Sequence, residues 1–288
     1  MERWIGTYTV DGYTIEYSVT GKIGTPVLVM RGGHSNCHEE FGYSFLIKNG
    51  FTIITPSRAG YGKTSKEMGE DLSKACAYYV KLLDYLKMDK VHLLAISAGG
   101  PSGLYLASHY PERVKTLTLQ SAVTKEWLTP EDNIYKIAQT LFRPPIEKIT
   151  WKLVSRMSNL FPTFMFKMMA PSFSNLSNKK IKSKRFDTDM EAIQRMNNRQ
   201  RSVYGFLIDL STKEITIKNL QAITCLTLIM HSRHDGAVPL EHASYADQHI
   251  PHSQLCLLET WGHLIWLGHG SEQVNEKLVE FLTDYVDE

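Results

Sequence analysis

Six short, nearly unbroken apolar runs constrain this chain more than any other feature of its sequence. They are residues 26–30, 51–55, 91–96, 114–119, 225–230 and 254–258. Runs of this length with no polar alternation fit strands buried on both faces of a parallel sheet. Helical spacing appears between most of them. In 71–88 the apolar positions Leu72, Cys76, Tyr79, Leu82, Leu83 and Leu86 repeat at helical intervals, and 101–109 and 271–286 behave likewise. Alternating strand and helix predicts an α/β fold: a mostly parallel sheet flanked by helices on both faces. Residues 4–10 and 13–20 instead alternate in polarity around Asp11-Gly12, a two-residue hairpin signal. That antiparallel pair is expected at one edge of the sheet.

The alternation stops between residues 123 and 218. No buried-strand run occurs there; segments rich in Met, Phe and Trp read as helices at 151–157, 161–169 and 193–210. The expectation is a core made of 1–122 and 219–288, with 123–218 inserted as a helical cap. A chain of 288 residues that is 43% apolar has enough material for one sizeable core plus such an insertion. The basic cluster Lys179–Arg185 reads as a solvated loop within it.

Other classes are disfavoured. The formal net charge of +2 argues against a nucleic-acid binder or a membrane-surface protein, and no apolar run is long enough to cross a bilayer. The first residues lack a charged segment followed by an apolar run, so no secretory signal is read. Cys37, Cys76, Cys225 and Cys256 show no metal-ligand spacing. They are expected to be free thiols in a reducing cytoplasm, with Cys225 and Cys256 in buried strands. The expected partner is a small-molecule substrate, and the chain is expected to be a monomer or homodimer.

The chemistry concentrates at strand ends. In residues 92–100, His-Leu-Leu-Ala-Ile-Ser-Ala-Gly-Gly, a strand runs into Ser97 and a helix follows. A serine on a strained strand-to-helix turn tolerates only small neighbours two positions away, and Ala95 and Gly99 stand there. Without further context, a helix N-cap after a strand is the alternative reading of Ser97.

Further segments supply that context. Residues 31–34, Arg-Gly-Gly-His, end the first parallel strand; residues 55–64 carry Arg58-Ala-Gly-Tyr-Gly-Lys-Thr; residues 109–114 read His-Tyr-Pro-Glu-Arg-Val. Together with 95–99, these resemble the α/β-hydrolase superfamily across the core on both sides of the insertion, but not within the insertion. The resemblance implies a serine hydrolase with an oxyanion hole formed by the backbone N–H groups of Ala98 and Gly33, with His34 as the alternative to Gly33. Arg31 stands where the family usually has His.

Asp235 follows the strand at 225–230 and precedes Val238-Pro239 and a helix, as the family's acid does; His263 follows the last strand after Gly262, as the family's base does. The order Ser97, Asp235, His263 matches this fold, and His269 is the fallback base. His231 and His234 beside Asp235 do not read as a metal site. Arg58 is read as structural, holding loops beneath the elbow, and Cys37 as packing or pocket-lining. No cofactor and no metal are implied.

The expected reaction is hydrolysis of carboxylic esters or lactones bearing small to medium apolar groups, through an acyl-enzyme on Ser97. A carbon–carbon bond hydrolase or a cofactor-free haloperoxidase-like enzyme on the same triad is the alternative. A ligand-sensing signalling protein with slow turnover is a further one.

Overall fold

A computed structural model describes residues 2–284. The helix read at 271–286 ends within that range at Thr283; residues 285 and 286, like Met1, lie outside the described residues.

Eight strands form one sheet, and its order explains where the chemistry sits. The chain runs β1 (Arg3–Val10), β2 (Tyr13–Thr20), β3 (Thr25–Met30), α1 (Tyr43–Lys48), β4 (Phe51–Pro56), α2 (Leu72–Tyr85), β5 (Val91–Ile96), α3 (Gly100–His109) and β6 (Val114–Gln120). Seven helices come next: α4 (Asn133–Leu141), α5 (Ile146–Leu160), α6 (Pro162–Phe173), α7 (Asn178–Lys184), α8 (Thr188–Arg199), α9 (Gly205–Ser211) and α10 (Ile217–Gln221). The chain then returns through β7 (Leu226–Ser232), α11 (Glu241–His249), β8 (Ser253–Leu258) and α12 (Ser271–Thr283).

The strand order is β1-β2-β4-β3-β5-β6-β7-β8. β1 and β2 pair antiparallel and β2 meets β4 antiparallel, while every pairing from β4 to β8 is parallel. The hairpin thus forms the expected antiparallel edge. The six apolar runs form β3 to β8, because side chains on both faces of a central strand must meet apolar neighbours. On β5, Leu93 joins the larger apolar cluster, with Leu82 and Leu117, while Leu94 joins the opposite one, with Val29, Met230 and Leu278. Helix α2 begins where Asp71 caps it, its side chain accepting the Lys74 N–H at 2.6 Å.

Several expectations need correction. The segment 193–210 is not one helix: α8 ends at Arg199 and α9 starts at Gly205, with Val203 between them at a positive φ of 45°. The basic cluster at 179–185 is largely the helix α7 rather than a loop. Cys225 precedes its strand and is only partly buried, as is Cys256, because β8 is an edge strand with one neighbour. Helix α1 leaves no periodic signal in the sequence, being six residues long.

The insertion shares apolar contacts with the core at several places, Ile215 against the main cluster among them. Phe166, Ile181 and Ile193 pack with Trp261 and Leu264 of the loop after β8, while Phe206 and Leu210 pack with Tyr61 of the turn after β4. Leu220 of α10 already belongs to the main core cluster.

Candidate active site

The parallel strands end on one side of the sheet, and three of their following loops converge. Ser97 follows β5 with φ of 51°, the left-handed conformation of a tight elbow. The turn closes because Val123 N–H donates to the Ser97 carbonyl at 2.9 Å. A side chain at position 99 would put its Cβ 2.2 Å from the Met30 carbonyl oxygen, so glycine is required there. Ala95, where the usual motif has glycine, is accommodated from the other side. Its Cβ occupies the space a side chain at Gly103 would need, 2.4 Å from a Cβ built there. Helix α3 then carries Pro101 in its first turn, where no N–H is lost.

His263 Nε2 lies 2.9 Å from Ser97 Oγ, and His263 Nδ1 lies 2.8 Å from Asp235 Oδ2. An ionised carboxylate only accepts, so Nδ1 carries the proton and Nε2 is left to accept from the serine hydroxyl. The other carboxylate oxygen, Oδ1, accepts from the backbone N–H groups of Ala237 and Val238 at 2.8 and 2.9 Å. Burial opposes ionisation of Asp235, but His263, His231 and these N–H donors outweigh it, and the carboxyl stays below its ordinary 3.8. All three side chains are largely shielded from solvent.

His231 also reaches Asp235. Its Nε2 lies 3.0 Å from the Val238 carbonyl and 3.3 Å from Asp235 Oδ2, and burial pushes the imidazole below its usual range, leaving it a neutral donor. His234 instead points to Glu259, 3.4 Å away. The two histidines do not converge on a metal-like site. His269 packs its ring on Phe186 and gives its N–H to the Lys184 carbonyl, away from Ser97.

The loop after β3 crosses the elbow. A Cβ at Gly32 would stand 2.9 Å from Ser97 Cβ, and one at Gly33 would stand 3.8 Å from Ala98 Cβ, which sets Gly33 and Ala98 side by side at the turn that carries Ser97. Arg31 turns away into the protein: Nε donates to Tyr43 Oη at 3.1 Å, Nη2 donates to the Phe41 carbonyl at 2.6 Å, and the guanidinium lies over the Tyr43 ring. Cys37 is fully buried behind the same loop. With Glu16 and His38 it sets a thiol, a carboxylate and an imidazole within 4.8 Å of one another. Spacing along the sequence could not reveal this cluster, because Glu16 comes from β2. Cys37 and Glu16 together raise His38 to about 9.

The residues that sequence reasoning missed lie in the insertion. Arg58 donates from Nε to the Arg31 carbonyl at 2.6 Å, while its two terminal nitrogens grip Asp209 of α9. Tyr61 Oη donates to Asp209 Oδ2 at 2.6 Å and accepts the His34 N–H at 3.2 Å. Asp209 therefore holds the Gly33 loop by both ends.

The His34 ring sits among Phe142, Trp151 and Phe206, with centroids 4.2, 5.0 and 3.9 Å away. Its Nδ1 lies 2.7 Å from Ser202 Oγ, which accepts from Trp151 Nε1 at 2.7 Å. Burial pushes this imidazole down to about 3, so it is neutral.

On the other flank, the Phe173 carbonyl accepts the N–H of His263 at 2.7 Å and of Gly236 at 3.1 Å, and Ser174 Oγ donates to the Trp261 carbonyl. One residue at the end of α6 thus binds the loops carrying His263 and Asp235 together. No short motif marks these partners, since each is chosen by position in space.

Comparison with known proteins agrees with this architecture. The family model for the alpha/beta hydrolase fold matches residues 25–269. The chain is 60% identical over 283 residues to an uncharacterized hydrolase of Bacillus subtilis (strain 168), YcgS, covering 98% of this chain and 99% of that one. It is 27% identical to the 2-hydroxy-6-oxo-6-phenylhexa-2,4-dienoate hydrolase of Burkholderia cepacia, over 88% of this chain and 84% of that one. Among solved structures, an alpha/beta hydrolase fold protein from Nakamurella multipartita superimposes with a TM-score of 0.81 at 23% identity, covering 97% of this chain and 99% of that one. No helix among the described residues is long and apolar enough to cross a membrane. By fold, by family and by its 60% identical relative, the chain belongs to the alpha/beta hydrolases and is a hydrolase.

Proposed function

We propose that this protein is a serine hydrolase that cleaves carboxylic esters or lactones bearing small to medium apolar groups. The observation that carries the reading is the hydrogen-bonded series Ser97 Oγ–His263 Nε2 and His263 Nδ1–Asp235 Oδ2, drawn from three separate strand ends.

In this reading His263 takes the Ser97 proton as Oγ attacks the carbonyl carbon. Charge builds on the carbonyl oxygen and is met by the N–H groups of Gly33 and Ala98, each such donor worth about 3 kcal/mol. The tetrahedral intermediate collapses when His263 returns the proton to the leaving alkoxide, leaving an acyl-enzyme. A water molecule, deprotonated by His263, then releases the acid and restores Ser97. Asp235 fixes the imidazole tautomer and stabilises the imidazolium. The chemistry requires no metal or organic cofactor. The insertion serves as the cap: a small cavity beside Ala98 is lined by the apolar Pro101, Val123, Trp127, Leu128 and Leu210 together with the polar Glu126, Asp209, Thr212 and Lys213, a mixed lining that by itself does not select an apolar group.

A second reading, hydrolysis of a carbon–carbon bond on the same triad, is favoured by one observation: the Burkholderia relative is named for that reaction. The test is turnover of a graded series of p-nitrophenyl esters and of a 2-hydroxy-6-oxo-dienoate, wild type beside Ser97→Ala. Ester turnover that disappears in the variant supports the serine esterase. Turnover of the dienoate alone moves the assignment to carbon–carbon hydrolysis, and ester turnover retained in Ser97→Ala refutes the assignment of the nucleophile.

A further inference from the structure

The whole-chain charge of +2 conceals a division. Residues 123–218 hold 17 of the 32 Lys and Arg but only 9 of the 30 Asp and Glu, a net +8 set against −6 for the rest of the chain. Within 133–168 the imbalance is sharper. Lys136, Arg143, Lys148, Lys152, Arg156 and Lys167 are all exposed, and none of the six is in an ion pair among the described residues. The one acid in that stretch, Glu147, is buried and bound to Arg201 at 2.9 Å.

The same stretch turns large apolar side chains outward. On α4 they are Ile134, Ile137 and Leu141; on α5, Ile146, Ile149, Leu153 and Leu160. Phe161, Phe164 and Met168 continue the pattern into α6. The spacing is three, then four, with a further seven to Leu160 on α5, so each set lies along one stripe. These side chains are not frayed core. Ile149 and Leu160 are 68% and 69% exposed, whereas Ala138, Trp151 and Phe166 on the other faces of the same helices are buried. α4 packs on α5, and α5 on α6. On α5 the basic residues 148, 152 and 156 form their own row beside the apolar one. An apolar stripe with a cationic flank is the pattern of a helix lying in a lipid–water interface.

We propose that α4, α5 and the start of α6 dock on an anionic lipid surface, with the apolar stripes entering the acyl boundary and the six basic side chains meeting the headgroups. The charge selects this occupant. Two copies joined through this face would bring two strongly basic surfaces together, whereas an anionic leaflet neutralises them. The proposal does not depend on the chemistry assigned to Ser97.

The test is co-sedimentation of the full chain with phosphatidylcholine vesicles, with and without phosphatidylglycerol, at low and high salt. Binding at least about tenfold tighter to the anionic vesicles, weakened by salt, is expected. Ile149→Glu with Leu153→Glu should lose that binding about tenfold, and Lys148→Glu with Lys152→Glu should abolish the preference for anionic lipid. Thermal melts confirm that both pairs remain folded, which the exposure of these side chains predicts. Equal binding to both vesicle types, no binding to either, or binding unchanged by the first pair overturns the proposal. So does a dimer in sedimentation equilibrium that the first pair dissociates, which would assign the face to a second copy of the chain.

Discussion

The core and the insertion both build the candidate site, but by different means. On the core side, Ser97, Asp235 and His263 each leave a buried strand, and their positions follow from local backbone geometry: the positive φ at Ser97, the N–H groups of Ala237 and Val238, the turn at Gly262. On the insertion side the supports are buried polar links across long stretches of chain. Asp209 reaches Arg58 and Tyr61, Ser202 reaches His34, and the Phe173 carbonyl reaches His263. Apolar residues differ in the same way. Core leucines such as Leu94 are enclosed, whereas the insertion leaves Leu153 and its neighbours in solvent. A region built this way adds a few charged or hydrogen-bonded contacts to the apolar packing of Phe166, Ile181 and Ile193 on Trp261 and Leu264, so it should be sensitive at both and tolerant on its exposed face.

The largest expected effect is on the core side. Asp235→Asn should lower kcat by about 10⁴-fold, because an amide can hold the wrong imidazole tautomer, while the melting temperature changes little. An unchanged kcat in steady-state assay would refute the role proposed for Asp235.

Next comes the insertion's principal tie. Asp209→Ala leaves the Arg58 guanidinium buried without its partner, which should cost about 3–5 kcal/mol in denaturant unfolding. A cost under about 1 kcal/mol would mean that Asp209 does not hold the Gly33 loop.

Leu94→Ala and Leu153→Ala sharpen the contrast most directly. The first should cost about 2–5 kcal/mol, the second no more than about 0.5 kcal/mol. Similar costs would dissolve the distinction between the regions.

Acid tests three buried imidazoles of the core, one of which, His34, is packed against the insertion. Burial pushes His34 down to about 3, and His92 and His242 to about 4. The unfolded chain binds protons at these sites below about pH 6.5, whereas the folded chain does so only near pH 3–4. Stability is therefore present above about pH 6.5 and is lost as pH falls through this window. Thermal melts between about pH 7 and 4 should show that loss, and His92→Phe should flatten part of it. A melting temperature constant down to about pH 4 would contradict these assignments.

Much of the core is legible in the sequence because its signals are local. Five buried strands and the half-buried edge strand β8 announce themselves by unbroken apolar runs, and Asp11-Gly12 marks a turn that only certain residue types can make. The small residues at 95 and 99 mark the elbow because larger ones would collide with it. The insertion is less legible. A helical period persists across Arg199–Gly205 although the chain breaks there, because periodicity reports which face is apolar and not where the backbone turns. The Lys-rich stretch that forms α7 reads as a loop because charge says little about helix formation when tertiary packing of one residue, Ile181, decides it.

The sequence by itself determined the strand–helix alternation, the elbow, and the strand-end positions of Ser97, Asp235 and His263, all of which rest on backbone preferences and on side chains close along the chain. Only the tertiary structure decided that Arg31 turns inward, that Gly103 makes room for Ala95, that Asp209 and Phe173 reach across to the loops carrying the site, and that the insertion turns apolar stripes outward. Each of these depends on which distant atoms share a few ångströms of space, and hydrogen bonds and close packing are satisfied at that range whatever the separation along the chain.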